Sequence, residues 1–467
     1  MDDRAEVIAT FRDELNYLRE AGKSFANQHP KLAERLELSR EGSADPHVEL
    51  LIESFAFLTS RIQRRLDSEF PEFTSALMGL LYPNLVDPIP PMTLARIVAD
   101  PARGKLTAGY DVPRHAKLFA QTSEGLTCRF QTAYPVTLWP LEVVEAEFAN
   151  KARFDFLDSD NRIAGVLRLR LESRGVTFSD LEIKQLRFHL NGNSHLTGRL
   201  YELLFQHCIG IALYDRVTGR AVSLPVSNLR AVGFAPDEEV IPYSLQSHPA
   251  YRLLQEYFWL PEKFLFFDLL GLDRNPSILD LDILFLLDLA PRERLSVTRD
   301  TFALGCTPII NLFSRTSEPI RIDHTKTEYR LIPDARREQT TEIHSILSVS
   351  SSSNPAERSR QLYPLYGTSG ADGAQQNAFW YARRALSERL DLIGTDVFLS
   401  FVDLAFNPSQ PPVETVFAQL LCTNRNLALQ LQEDTLLQTE DPGPISHIHC
   451  LHKPTAAGYP PLGGASR

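Results

Sequence analysis

The chain has 467 residues and 43% of them are hydrophobic, which is enough for more than one core because single domains rarely exceed roughly 250 residues. Its net charge of -11 argues against a general nucleic-acid binder, since such proteins usually carry a basic stripe that neutralises phosphates. The five cysteines are widely spaced and contain no CxxC, which is typical of reduced thiols. We also find no secretory signal and no apolar run of the roughly 20 residues that a membrane span requires.

Residues 5 to 82 are predicted to be predominantly helical. The first apolar stripe at helical spacing comprises Val7, Phe11, Leu15 and Leu18. A second stripe comprises Val48, Leu51, Ile52, Phe55, Leu58, Ile62, Leu66 and Phe70. We predict that this second helix stops at Pro71 and that the segment Pro83 to Pro91 forms an extended connection and a candidate hinge.

These two stripes have little globular core of their own, so each face needs a partner. We therefore predict that they pack partly against other subunits in a helical bundle. The candidate interface residues are Phe11, Leu15, Leu18, Phe55, Ile62 and Leu66.

The pattern changes to short β-type segments after the prolines. We predict an α+β, multidomain fold, in which an N-terminal helical arm is followed by β-rich domains with mixed and antiparallel sheets. The predicted domains are residues 1–91, the arm with its connection; 92–260, β-rich with one or two helices; and 261–467, a second α+β domain with a linker-like tail.

Several individual elements follow from local periodicity. Leu167, Leu169 and Leu171 alternate with Arg168 and Arg170, which predicts a strand with one wet face. The remaining predictions are a helix over His195 to Gln206, a hairpin of Ile209 to Tyr214 with Ala221 to Leu224, a loop over Ser345 to Asn354 and a short helix over Phe379 to Leu392.

No catalytic or cofactor motif occurs in the sequence, so we predict no catalytic, cofactor-binding or metal-binding residue and no enzyme activity. The densest metal-type group is His447, His449, Cys450 and His452, but strand alternation sends these side chains to opposite faces. Asp280 and Asp282 would lie roughly 7 Å apart on one side of a strand, as in an inverting glycosidase. Any two carboxylates that are two residues apart on a strand have this separation, so it is not specific to a glycosidase. A position at a sheet edge or an interface explains Asp280 and Asp282 better.

Two further stretches are interpreted as structural. The aromatic cluster Tyr257, Phe258, Trp259, Phe264, Phe266 and Phe267 is more typical of a core or an obligate interface than of a sugar platform. Pro308 and Pro319 bracket an apolar run and are predicted at strand ends, since proline cannot donate to a sheet ladder. Asn311 between them is predicted to be a structural latch that satisfies buried main-chain groups.

Five stretches, taken in order, resemble the TssF family (ImpG or VasA type), a baseplate subunit of bacterial type VI secretion systems. They are Phe11 to Leu36, Asp45 to Met92, Tyr251 to Leu272, Cys306 to Pro333 and Leu421 to Asn426. Family members typically continue into a further C-terminal domain, which we expect to be absent here.

The resemblance implies a structural scaffold of the baseplate wedge. Two copies would join one TssG-type subunit, with TssE-type and TssK-type subunits attached, and six wedges would surround the spike hub and dock the contractile sheath. It implies no cofactor, no nucleic acid, no direct membrane span, and a cytoplasmic place in a membrane-docked baseplate of a Gram-negative bacterium. The alternatives are a wedge component of another contractile injection system or phage tail baseplate and, remotely, a carboxylate-dependent glycoside hydrolase.

Overall fold

The computed structural model describes residues 3–35, 38–39, 42–43, 45–104, 106–244, 247–274, 280–291, 295–323, 325–352, 359–365, 378–387, 389, 392–403 and 414–460. The α-helices within these ranges are α1 (Asp3–Gln28), α2 (Pro30–Arg35), α3 (Pro46–Leu81), α4 (Ser194–Gln206) and α5 (Pro249–Trp259). None of the described helices is long and apolar enough to cross a membrane.

Helix α3 is the longest element, with 36 residues and a length of about 54 Å. Its start is fixed by Asp45, whose side chain accepts a hydrogen bond from the His47 backbone N–H at 2.8 Å, and by Pro46 in the first turn. The prediction that it stops at Pro71 is wrong, because the helix runs on to Leu81. A proline removes one N–H donor from the ladder, and hydrogen bonds on either side of it can persist.

The strands form the larger part of the chain. In chain order they are β1 (Leu38–Ser39), β2 (Gly42–Ser43), β3 (Met92–Ala99), β4 (Tyr110–Val112), β5 (Lys117–Gln121), β6 (Thr127–Thr132), β7 (Val136–Leu138), β8 (Leu141–Ala149), β9 (Gly165–Ser173), β10 (Gln185–Leu190), β11 (Cys208–Tyr214), β12 (Ala221–Leu224), β13 (Leu229–Ala231) and β14 (Phe266–Leu270). They continue with β15 (Asp280–Leu287), β16 (Phe302–Leu304), β17 (Cys306–Ile310), β18 (Phe313–Thr316), β19 (Ile320–Ile322), β20 (Tyr329–Leu331), β21 (Glu342–Ser352), β22 (Arg360–Pro364), β23 (Ala378–Leu386), β24 (Thr395–Asp403), β25 (Glu414–Thr423), β26 (Leu436–Thr439) and β27 (Ile445–Cys450).

Many of these strands form two sheets and a closed barrel. A five-stranded sheet, β12-β11-β15-β9-β8, and a four-stranded sheet, β13-β14-β10-β16, contribute to one apolar core together with α4. Leu167, Leu169 and Leu171 point into this core, as their alternation predicts. The strands β17-β3-β27-β26-β5-β6 close into a barrel whose interior contains Ile97 and Phe130.

A larger sheet runs β18-β25-β21-β22-β23-β24-β20, with β19 also paired to β25. Its pairs are antiparallel except β22 with β23, so the predicted mixed and antiparallel sheets are confirmed. Two local predictions are wrong here. The Ser-rich run lies largely in β21, and 379–386 is a strand. Both segments pair with long neighbouring strands, and such tertiary pairing overrides local propensity.

The chain divides into two compact units, one containing the N-terminal helices through Val86 and the other running from Asp87 to Tyr459. The predicted boundary at 260/261 does not follow the sheets. Strand β15 pairs with β9 and β11, and β27 pairs with β3, so strands from both sides of residue 260 share one sheet or one barrel. Sequence order does not reveal such long-range pairing.

Candidate functional site

The helical unit contains an antiparallel pair formed by α1 and α3. The Phe11 ring meets Phe57 edge-on at 6.5 Å between centroids, and Arg19 Nε donates to Glu49 at 2.9 Å. Leu15 is buried within this unit. Among the side chains of α3 that the structure describes, the buried ones are small, Ala56 and Ser60, which allows the two helices to approach closely. Several large apolar side chains of the same helix stay exposed.

Those large side chains form an exposed face on α3. Phe55 and Ile62 keep 59% and 61% of their surfaces accessible, and Leu51 and Leu58 are also exposed. Their spacing of four, three and four residues places them in one row along the helix, as in a coiled-coil seam. We call these four residues the α3 face. An apolar row of this kind on a solvent-facing helix is typical of a protein interaction site.

The predicted interface residues therefore differ in environment. Leu15 is buried, Phe11 and Leu18 are half-buried, and Phe55 and Ile62 are exposed. The side chain of Leu66 lies outside the described residues. Their role in assembly stays a prediction.

The predicted hinge is partly fixed. Ile89 pairs with Gly458 through two backbone hydrogen bonds of 2.8 and 2.9 Å, and the Asn311 N–H donates to the Pro91 carbonyl at 2.8 Å. Pro88 and Pro90 are buried. Asp87 also pairs with Arg384 at 3.1 Å. Because the second half of Pro83 to Pro91 is tied into the β-rich unit, a pivot would be restricted to residues 82–86.

Asn311 lies fully buried at the junction of the barrel with β18 and β25. Its Nδ2 donates to the Arg129 carbonyl at 2.6 Å and to Asn424 Oδ1 at 3.0 Å, and its Oδ1 accepts from the Asn424 N–H at 2.6 Å. Asn424 in turn accepts from the Arg129 N–H at 2.9 Å and donates to the Thr340 carbonyl at 3.1 Å. The two asparagines thus join the chain segments of Arg129 and Thr340 to their own two segments.

The prediction that Pro308 ends a strand is wrong, since it lies inside β17 opposite Leu94 of β3. Its carbonyl accepts from the Ala133 N–H at 2.8 Å, just beyond the end of β6 at Thr132. The N–H and C=O of one residue point to the same side of a strand. The missing donor therefore faces the position where β6 has ended, and proline breaks no ladder bond there.

Asp280 and Asp282 each bind an arginine on the neighbouring strand β9. Asp282 accepts from Arg168 Nε at 2.8 Å, and Asp280 accepts from Arg170 Nη2 at 2.7 Å. Arg168 is buried, which corrects the prediction of a wet face. Asp282 and the β8 carboxylates surround its guanidinium and compensate for lost hydration.

The His-rich segment lies on β27 and its side chains diverge. The rings of His447 and His449 stack at 5.5 Å, whereas Cys450 is fully buried in the barrel. Burial raises the pKa of the Cys450 thiol to about 12, which keeps it protonated at neutral pH. Among the described residues, no group of three or more metal-type ligands converges.

The aromatic cluster divides between core and surface. Phe264, Phe266 and Phe267 are buried, while Tyr257 and Phe258 are exposed. The sequence reasoning missed a buried ion pair beneath them, Lys263 with Glu256. One sequence signal indicates buried charge in this region. Arg252 and Glu256 are four residues apart among apolar neighbours, which places both charges on one helix face.

A family model for "Type VI secretion system, TssF" matches residues 1–467. The chain belongs to the TssF family. It is 35% identical to the type VI secretion system component TssF1 of Pseudomonas aeruginosa over 476 residues, covering 96% of this chain and 76% of that protein. As a TssF protein it has a structural role in the type VI secretion baseplate.

Two solved structures share the TssF fold. A chain in the cryo-electron microscopy structure of a TssK-TssF-TssG baseplate subcomplex matches 88% of this chain, with a TM-score of 0.69 and 23% identity over 75% of its own length. A chain of a type VI baseplate complex matches 97%, with a TM-score of 0.54, 23% identity and 77% of its own length.

Proposed function

We propose that this TssF protein builds a baseplate wedge by placing the α3 face in a helical bundle with a TssG-type subunit. The observation that carries the proposal is the exposed row of Leu51, Phe55, Leu58 and Ile62. Burying a large apolar side chain contributes about 1.5–3 kcal/mol, so this row supplies a substantial driving force for association. The work of the protein is to hold an assembly together until contraction, which depends on interface free energies.

Two copies of this chain would join one TssG-type subunit in each wedge. Two identical chains can occupy different environments only if some segment changes conformation. Residues 82–86 are the proposed segment, because the helical unit ends at Val86. TssE-type and TssK-type subunits complete the proposed wedge on the cytoplasmic side of the membrane, below the sheath and around the spike hub. The name of the TssK-TssF-TssG subcomplex supports the TssG and TssK partners.

Co-expression of the full chain with the TssG-, TssE- and TssK-type subunits of its own system tests this function. We expect a stable complex whose native mass contains two copies of this chain for each TssG-type subunit. A mass with one copy would overturn the stoichiometry, and purification of this chain without any of the three subunits would overturn the wedge assignment.

We also propose that no residue of this chain is catalytic. Asp280→Asn with Asp282→Asn removes both carboxylates of the acidic pair with glycosidase-like spacing, and with them the ion pairs to Arg168 and Arg170. We expect a loss of stability at most, with secretion near the wild-type level whenever the protein accumulates. Loss of secretion at normal protein level and with intact wedge assembly would instead indicate an active site. His447→Gln with His449→Gln and His452→Gln serves the same purpose for the His-rich segment.

A further inference from the structure

Helix α5 has its polarity reversed relative to an ordinary surface helix. Its buried residues are the charged Arg252 and Glu256. Its exposed side chains are apolar and include Leu254, Tyr257 and Phe258, the last of which is 78% accessible. A buried charge and an exposed large apolar patch are the two departures from normal burial that call for a physical explanation.

The buried charges form a closed network. Glu256 is paired with Lys263, and both side chains are fully buried. Glu256 Oε1 also accepts from the Val240 and Ile241 N–H groups at 2.6 and 3.1 Å, and Lys263 Nζ donates to the Glu238 carbonyl at 3.0 Å. Every hydrogen bond of this kind offsets part of the desolvation cost of the pair.

The same network reaches the loop that precedes α5. Arg252 donates to the carbonyls of Ala235 and Pro236 at 3.1 and 2.9 Å. The Glu238 carboxylate accepts from the Gly233 and Ala235 N–H groups at 2.7 and 3.0 Å. The loop and the helix are therefore held together in one rigid arrangement.

This rigid base carries a continuous row of rings. Phe234 lies 5.0 Å from Phe264, Phe264 lies 6.0 Å from Tyr257, and Tyr257 lies 5.6 Å from Phe258. Phe234 is exposed like Tyr257 and Phe258. We call Phe234, Leu254, Tyr257 and Phe258 the aromatic platform. Aromatic side chains that are fixed in advance lose little entropy on binding and are enriched at interface hot spots.

The accessible charged side chains of residues 231–262, which carry the aromatic platform, are acidic. Asp237 follows Phe234 by three residues and is exposed, and Glu262 follows Phe258 by four residues and is half-buried. Neither forms an ion pair within the part of the chain that the structure describes. Between Ala231 and Glu262 the only lysine or arginine is Arg252, which is buried. An occupant with apolar side chains flanked by lysine or arginine would match both the rings and the rim. A second copy of the same acidic surface would not.

We infer that the aromatic platform is a docking site for a polypeptide segment of another protein in which apolar residues are flanked by lysine or arginine. The site lies on the β-rich unit and is independent of the α3 face. The apolar residues of the bound segment would cover Tyr257 and Phe258, and its lysine or arginine side chains would face Asp237 and Glu262.

Site-specific photo-cross-linking in bacteria that carry the complete secretion system tests this inference. A photoreactive amino acid is installed at position 258 of the full chain, and at position 156, an exposed phenylalanine elsewhere on the β-rich unit, as the matched control. Mass spectrometry then identifies the cross-linked peptide. We expect a peptide of another protein with lysine or arginine beside apolar residues, and a yield at least roughly tenfold above that at position 156.

Charge variants supply the second arm. Asp237→Lys with Glu262→Lys is expected to lower the cross-link yield at position 258 roughly tenfold, and Asp237→Asn with Glu262→Gln to lower it less. Unchanged melting temperatures establish that the variants fold. A cross-link yield at position 258 no higher than that at position 156 would overturn the inference. So would cross-linking to an acidic peptide, to a second copy of this chain or to a lipid, and so would a cross-link yield that charge reversal leaves unchanged.

Discussion

Phe55→Ser with Ile62→Ser is expected to abolish co-assembly with the TssG-type subunit while the isolated chain stays folded. Both side chains are more than half accessible, so their replacement should change the free energy of unfolding by no more than about 0.5 kcal/mol. In a complex they would be buried, and loss of two hot-spot residues weakens an interface by at least about 100-fold. Co-purification and a dissociation constant for the TssG-type subunit measure the effect.

The matched control is Val217→Ser with Leu436→Ser. These residues are more accessible, with 84% and 65% of their surfaces exposed, and they lie on the β-rich unit, so the variant removes exposed apolar surface away from the α3 face. It should assemble like the wild type. Normal assembly by the Phe55 and Ile62 variant would refute the proposed bundle contact.

Polar substitution at Leu15 and Leu18 is also expected to abolish wedge assembly and to leave the β-rich unit folded. The physical cause differs, because Leu15 is buried within the helical unit and its replacement also loosens that unit. Circular dichroism should then show a loss of helix in this variant and none in the Phe55 and Ile62 variant.

Asn311→Ala is expected to lower the free energy of unfolding by about 1–3 kcal/mol. Asn311 is fully buried, and the change leaves the Arg129 carbonyl and the Asn424 N–H without their bonds to it. Urea denaturation measures the loss as a lower midpoint concentration of unfolding, with the m-value of the variant equal to that of the wild type. Affinity for small molecules should not change.

Asn161→Ala is the control for this position, since Asn161 is exposed. It should change the free energy of unfolding by less than about 0.5 kcal/mol. An Asn311→Ala protein as stable as this control would show that Asn311 is not a latch.

Periodicity in the sequence was sufficient for many separate elements. The leucines of β9, the helix α4 and the hairpin of β11 and β12 lie where their local patterns predict them. Such patterns record which side of an element is apolar, and an isolated helix or strand already carries that information. Ordered matches along the chain also pointed to the TssF family, which the family model and the P. aeruginosa relative establish.

Other features depend on contacts between residues far apart in the chain. The apolar stripe of α3 gave no indication that small residues would occupy the contact with α1 and leave Phe55 and Ile62 exposed. Likewise, Arg168 is buried only because β15 brings Asp282 beside it. Periodicity fixes the direction of a side chain relative to its own element, whereas burial depends on which other element covers that face. The sequence by itself thus determined the family, many of the elements and their apolar faces, and the tertiary structure decided which of those faces remain available for a partner.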